Sequence, residues 1–127
     1  MKTNTADITA LFDQWNQALL SGDADQVAQL YATNAILLPT VSNRVRHTYL
    51  EIRDYFEHFL QKNPAGTIDE SNVRIFGTVA IHSGLYTFKL SPQGKASQTV
   101  HARFTFVYHW FGDRWLIVEH HSSAMPE

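Results

Sequence analysis

The second half of the sequence contains four long segments dominated by β-branched and aromatic residues, and these segments restrict the fold more than any other feature. They cover residues 67–76, 79–90, 99–110 and 115–123. Short turns that contain glycine separate them, so neighbours in sequence are most simply antiparallel neighbours in space. Strands of this length twist strongly. The pattern therefore predicts a curled antiparallel meander of four strands.

Two amphipathic segments near the start of the chain indicate helices. Apolar residues recur at helical spacing from Ile8 to Leu19, and Ser21-Gly22 provides a stop signal. Asp23 can cap a second, shorter helix, whose inward face is predicted to include Tyr31. The apolar faces of both helices need a partner to be buried, and the meander offers one.

A third helix is predicted to begin where Thr48 and Glu51 form a capping box. Residues 63–66 contain the proline and glycine that end it, and residues 35–38 before it have the pattern of a short strand. Three apolar helix faces are thus available to cover one face of the sheet. We expect an α+β fold, a cone-like curved antiparallel sheet with three N-terminal helices covering its concave face.

Length, charge and cysteine content exclude several classes of protein. With 127 residues the chain fits one domain, residues 1–127, with a single core. Ten basic and twelve acidic residues give a net charge of −2, and neither sign forms a long run, so nucleic acid is not an expected partner. There is no cysteine for disulfides or thiolate chemistry. No stretch has the length of a membrane span or the apolar core of a secretion signal, which predicts a cytoplasmic protein without a membrane partner.

Several local motifs resemble the nuclear transport factor 2-like superfamily, which has a cystatin-like fold and also holds ketosteroid isomerases, scytalone dehydratases and polyketide cyclase-like proteins. More narrowly, the chain resembles the association domain of calcium/calmodulin-dependent protein kinase II and its free-standing bacterial relatives. The matching motifs are Ser21-Gly22-Asp23, Tyr55-Phe56-Glu57, Val107-Tyr108-His109 and the run from Trp115 to Pro126. This resemblance implies a homodimer or a ring of dimers, with a deep pocket in each domain.

In the kinase form, the pocket of this family is basic and binds small carboxylates. The arginines of that form correspond here to Phe106 and Ser122, so the resemblance implies the shape of the pocket without those anion-binding groups. No kinase domain or calmodulin-binding segment accompanies the chain, and kinase scaffolding is therefore not implied.

Alternation divides the third long segment into two faces. One face is nearly all aromatic and consists of Ala102, Phe104, Phe106, Tyr108 and Trp110. This face is either core or dimer contact, or the wall of a pocket for a flat or apolar ligand. The other face carries Arg103, an arginine within an otherwise apolar strand.

Arg103, Glu119 and His121 are the candidate catalytic residues, provided that the register of the last hairpin puts them on one face. Glu119 would then act as base and His121 as acid, or the cluster would hold a carboxylate. The alternative is a structural ion pair or an interface contact. A metal site is not expected, because the adjacent His120 and His121 point to opposite faces of a strand.

The predicted ligand-binding set combines aromatic residues from the helices with residues of the later strands. It consists of Trp15, Tyr31, Tyr55, Phe59, Tyr86, Arg103, Phe106 and His121. The leading hypothesis is a non-catalytic homo-oligomeric domain that binds a small, partly apolar molecule in its cone, without a cofactor. The alternatives are a small isomerase, dehydratase or polyketide cyclase-like enzyme, and an immunity or adaptor protein with a macromolecular partner.

Overall fold

The computed structural model describes residues 3–40 and 42–126, in which three α-helices cover one side of a five-stranded sheet. The helices are α1 (Thr5–Ser21), α2 (Ala24–Ala28) and α3 (Tyr49–Phe59), and a 3₁₀ turn (Leu60–Lys62) follows α3. The strands are β1 (Tyr31–Leu38), β2 (Ala65–Phe76), β3 (Val79–Leu90), β4 (Gln98–Trp110) and β5 (Trp115–Ala124). The predicted α+β fold with a curved sheet is confirmed.

The helix ends follow from local chemistry. Helix α1 begins a turn earlier than the apolar pattern alone indicates, because Asn4 and Asp7 form a reciprocal capping box. It ends at Gly22, whose φ of 75° is the left-handed conformation that glycine adopts without steric cost. At α3, the Thr48 hydroxyl accepts from the Glu51 amide as predicted, while the Glu51 carboxylate accepts from the amide of His47.

The sheet has the strand order β1-β5-β4-β3-β2. Strands β2 to β5 form the predicted antiparallel meander. Strand β1 is longer than predicted and pairs in parallel with β5, with Tyr31 opposite Ile117 and Leu37 opposite His120. The assignment of Tyr31 to the second helix was therefore wrong. The edge of β5 offers unpaired backbone groups, and the chain leaves α2 at Ala28 to pair with that edge.

The aromatic face of β4 turns inward and forms the core with the helices. Phe106 is fully buried, and its ring lies 5.4 Å from that of Trp15 on α1. Tyr86 on β3 stacks between Trp15 and Phe104, with centroid distances of 6.5 and 4.6 Å. Burying each large aromatic ring contributes about 2 to 3 kcal/mol, so this cluster fixes the helices on the concave side. None of the helices in residues 3–40 and 42–126 is both long and apolar enough to span a bilayer.

Candidate functional site

A small apolar cavity lies between α1, α3 and the concave face of the sheet, and it is partly open to solvent. Its volume is about 30 Å³, which is room for one or two water molecules. The lining side chains come from α1, α3 and all strands except β2, together with the segment after β1. They are Trp15, Leu37, Pro39, Thr40, Tyr55, Phe56, Phe59, Tyr86, Phe88, Leu90, Val100, Ala102, His120 and Ser122.

A row of hydrogen-bonded polar groups runs through this apolar interior, and we call it the buried relay. The Trp15 indole Nε1 lies 3.2 Å from the Tyr31 hydroxyl, which lies 2.8 Å from Nδ1 of His120. On the other side of the imidazole, Nε2 lies 3.3 Å from the Tyr86 hydroxyl. The row continues from Tyr86 to Ser122, which is 2.6 Å away, and ends in the contact between Ser122 and Thr40.

The direction of the first four hydrogen bonds in the relay follows from the group at its start, the Trp15 indole. The indole N–H can only donate, so the Tyr31 oxygen accepts it and the hydroxyl hydrogen of Tyr31 goes to Nδ1 of His120. A neutral imidazole with an accepting Nδ1 carries its proton on Nε2, which then donates to the Tyr86 oxygen. Tyr86 in turn donates to Ser122. Each bond polarises the next in the same sense.

His120 is neutral in this setting. Burial lowers the pKa of its imidazole to about 3, and the neighbouring His121 acts in the same direction. The imidazole stacks on Phe106 at 4.0 Å and meets the edge of the Trp15 ring at 5.6 Å. Burial raises the pKa of Tyr31 and Tyr86 far above the usual value and that of Tyr55 to about 12, so these phenols also stay neutral. The cavity is therefore lined by uncharged groups at neutral pH.

Most of the aromatic residues in the predicted ligand-binding set lie at or beside this cavity. Trp15, Tyr55, Phe59 and Tyr86 line it. Tyr31 is buried behind the wall of the cavity, where its hydroxyl is hydrogen-bonded to the lining residues Trp15 and His120. Phe106 supports the face of the His120 imidazole.

The register of the last hairpin, which the sequence left open, decides where Arg103, Glu119 and His121 lie. All three side chains do share one face of the sheet, but that face is the convex, exposed one. A β-bulge at Val118, where the register between β4 and β5 shifts by one residue, turns Glu119 and His121 to the face that Arg103 occupies. Without this bulge, the pairing of Trp110 with Trp115 would continue to place Phe106 opposite Glu119 rather than opposite His120.

The residues that sequence reasoning missed are His120, Ser122 and Thr40. His120 and Ser122 are inward because they lie opposite Phe106 and Phe104, two residues of the face that the aromatic pattern already predicted to be apolar. Residues of β5 that lie opposite the aromatic face of β4 must also face inward, and this requirement would have identified His120 and Ser122. Thr40 follows β1, and nothing in the local sequence indicates that its hydroxyl reaches Ser122.

Phe106 and Ser122, the two positions that the resemblance singled out, both face the cone. Phe106 lies against His120, and Ser122 lines the cavity. No Arg or Lys is among the lining residues that the structure describes. Over residues 3–40 and 42–126, no cluster of three or more His, Asp or Glu side chains could hold a metal ion.

Comparisons with known proteins agree with this architecture. The model of the calcium/calmodulin-dependent protein kinase II association domain family matches residues 4–126. A crystal structure of a proposed member of that family from Xanthomonas campestris is 46% identical, with a TM-score of 0.95 over 99% of this chain and 91% of that chain. A search of curated proteins found no match.

More distant structures share the fold alone. A nuclear transport factor 2-like superfamily protein from Salmonella enterica is 15% identical, with a TM-score of 0.83 over 96% of this chain and 91% of that chain. A protein from Streptomyces avermitilis proposed to be a dehydratase is 13% identical, with a TM-score of 0.83 over 94% of this chain and 95% of that chain. The match of the family model over nearly the whole chain, together with the likeness to the Xanthomonas structure, means that this chain belongs to the calcium/calmodulin-dependent protein kinase II association domain family.

Proposed function

We propose that this protein is a self-associating domain whose sheets pair through their convex faces, and whose cone binds a small, partly apolar molecule without catalysis. Family membership carries the first part of the proposal, because association domains generally self-assemble. The apolar cavity with its single polar row carries the second part.

The convex face has the composition of an interface. Val79, Ile81, Leu85 and Val107 form an aliphatic patch on β3 and β4, and each is half-buried without packing against the core. Ile81 lies directly opposite Val107 in the sheet. Outward side chains on these strands are exposed or half-buried, so no helix covers this face in the part of the chain that the structure describes.

Charged side chains of both signs surround the aliphatic patch. Arg103 lies opposite Leu85 on the neighbouring strand, and Glu119 lies opposite Val107. A twofold arrangement would bring the same face of two copies together, so a cation on one copy can meet a carboxylate on the other. This supports the interface contact that the sequence left open as an alternative for Arg103.

Introducing a charge into the aliphatic patch is expected to weaken self-association. In Ile81→Asp, two carboxylates would face each other across a twofold interface and lose water, which should raise the dissociation constant of the dimer at least tenfold. Sedimentation velocity over a range of concentrations measures this constant. The matched control is Leu50→Asp on α3, since Leu50 is 72% exposed and lies outside the patch.

Self-association through this face predicts that the native chain and Leu50→Asp form the same oligomer, while Ile81→Asp sediments mainly as the monomer. A strictly monomeric native chain at micromolar concentration would contradict the proposal. An Ile81→Asp variant that associates as well as the native chain would place the interface elsewhere.

A small isomerase, dehydratase or polyketide cyclase-like enzyme is the second candidate, and the hydrogen-bonded pair of Tyr86 and His120 favours it. Such a pair can hold or move a proton in an apolar site. However, the described lining contains no carboxylate to act as base, and the low pKa of His120 makes it a weak one. Incubating the protein with a small ketone in deuterated buffer separates the candidates. An enzyme of this kind would speed the exchange of hydrogen for deuterium at the carbon next to the carbonyl group. A protein that only binds the ketone would leave this exchange at its rate in buffer alone.

A further inference from the structure

We propose that the cavity selects a small uncharged ligand that carries one hydrogen-bond acceptor oxygen, such as a ketone or aldehyde, and rejects carboxylates. This inference rests on the proposed binding function and names the class of ligand. It follows from a count of donors in the buried relay and from the charge of the lining.

The relay has one more donor hydrogen than it uses. Beyond Tyr31, the donors are the Nε2–H of His120 and the hydroxyls of Tyr86, Ser122 and Thr40. Three bonds connect these four groups, from His120 to Tyr86, from Tyr86 to Ser122, and between Ser122 and Thr40. Whichever of Ser122 and Thr40 donates to the other, one hydroxyl hydrogen of this pair is left over.

The surplus hydrogen lies in the cavity, because both Ser122 and Thr40 line it. A ligand that enters the cavity displaces the water around this hydrogen and must supply an acceptor in its place, so the cavity is complementary to an acceptor oxygen. The cooperative direction of the relay strengthens this donor, since each upstream bond polarises the next hydroxyl.

The charge of the lining decides against an anion. His120 is neutral, and the cavity has no Arg or Lys among its described lining residues. A carboxylate in this cavity would lose its hydration without gaining a cation. The oxygen that accepts the surplus hydrogen must therefore belong to a neutral group.

The size of the site limits the rest of the molecule. The enclosed room of about 30 Å³ accepts a carbonyl group in place of the water it can hold. The remaining carbon atoms would lie toward the open side of the cavity, against apolar residues such as Phe59, Leu90 and Val100. A ligand of five or six heavy atoms is thus the appropriate probe.

Three probes of similar shape test the inference. Cyclopentanone carries the acceptor oxygen, methylenecyclopentane replaces that oxygen with carbon, and cyclopentanecarboxylate carries a charge. Titration of the native protein, followed by NMR through the backbone amide signals of Ala102 and Ser122, localises binding to the cavity. One hydrogen bond corresponds to a preference of about tenfold for the ketone over the alkene, and the carboxylate should bind at least about a hundredfold more weakly than the ketone.

Each result is informative. An alkene that binds as tightly as the ketone, or a carboxylate that binds better, would overturn the inference while leaving a binding cavity in place. If none of the three probes shifts these signals, both the inference and the pocket part of the proposed function fail.

The donor count also predicts the behaviour of variants. Thr40→Val and Ser122→Ala should each keep the preference for the ketone, because a hydroxyl hydrogen survives in either variant. The double variant Thr40→Val, Ser122→Ala should also keep it, because the hydroxyl hydrogen of Tyr86 is then left without its acceptor. Loss of the ketone preference in any of these variants would overturn the donor count, and the probe series on the native protein remains decisive if a variant does not fold.

Discussion

Replacing His120 by glutamine is expected to make the free energy of unfolding fall less steeply as the pH is lowered from about 7 to about 4.5. The folded-state pKa of His120 is about 3, against an ordinary value of 6.5 that applies to the unfolded chain. Between these values the unfolded chain binds a proton that the folded chain does not, so the free energy of unfolding falls as the pH falls. The slope from this one group approaches about 1.4 kcal/mol per pH unit below pH 6.5 and ends near pH 3.

Urea unfolding at pH 7.0, 6.0, 5.0 and 4.5, at one protein concentration, measures this slope. Glutamine keeps one acceptor and one donor for Tyr31 and Tyr86 but does not titrate, so His120→Gln should lose about 1 to 3 kcal/mol at pH 7 and show a shallower decline in acid. His82, whose pKa burial also lowers, contributes equally to both slopes and cancels in the difference. The control is His121→Gln, since His121 is exposed. An acid slope identical in His120→Gln and the native chain would mean that His120 is not buried as a neutral group.

Gly84→Ala is expected to lower the free energy of unfolding by about 3 kcal/mol or more. A Cβ at position 84 would lie 2.0 Å from the backbone oxygen of Glu70 and 2.8 Å from its carbonyl carbon, so the backbone of one strand must move. Gly84 lies opposite Ser71, next to the register shift between Ile68 and Glu70, where β2 bends over β3. The glycine permits the close approach that this bend requires.

Urea unfolding of Gly84→Ala and of Ser83→Ala tests this role of Gly84. Ser83 is the adjacent, half-buried residue on the same strand, and its replacement should change stability by less than about 0.5 kcal/mol. Equal stabilities for the two variants would show that β2 can move away at no cost, and that the bend of the sheet does not depend on Gly84.

Features that depend on nearby residues were predictable from the sequence. The ends of α1 and α3 follow from caps within a few residues of the break, and the order of β2 to β5 follows from short turns between segments rich in β-branched residues. The inward face of β4 follows from its alternation. These signals require no information about distant parts of the chain.

Features that depend on pairing between distant residues were not predictable in the same way. The parallel pairing of β1 with β5 joins Tyr31 to Ile117 across the whole chain, and no local pattern favours a parallel partner. The bulge at Val118 decides which residues of β5 face the cone, so His120 and Ser122 lie inward while Glu119 and His121 lie on the convex face. The candidate site was therefore predicted in its aromatic part and missed in its polar part.

The cone is uncharged, and the hydrogen bonds of the buried relay run through it in one direction. The side-chain NMR signals of His120 test both properties most directly. Long-range ¹H–¹⁵N correlation spectra of the native protein, with the His120→Gln variant used for assignment, report the protonation of Nδ1 and Nε2 separately. We predict a proton on Nε2, an unprotonated Nδ1, and no titration between pH 8 and pH 5. A proton on Nδ1 instead of Nε2 would contradict the direction of the relay, and a titration of His120 near pH 6.5 would contradict the neutrality of the cavity.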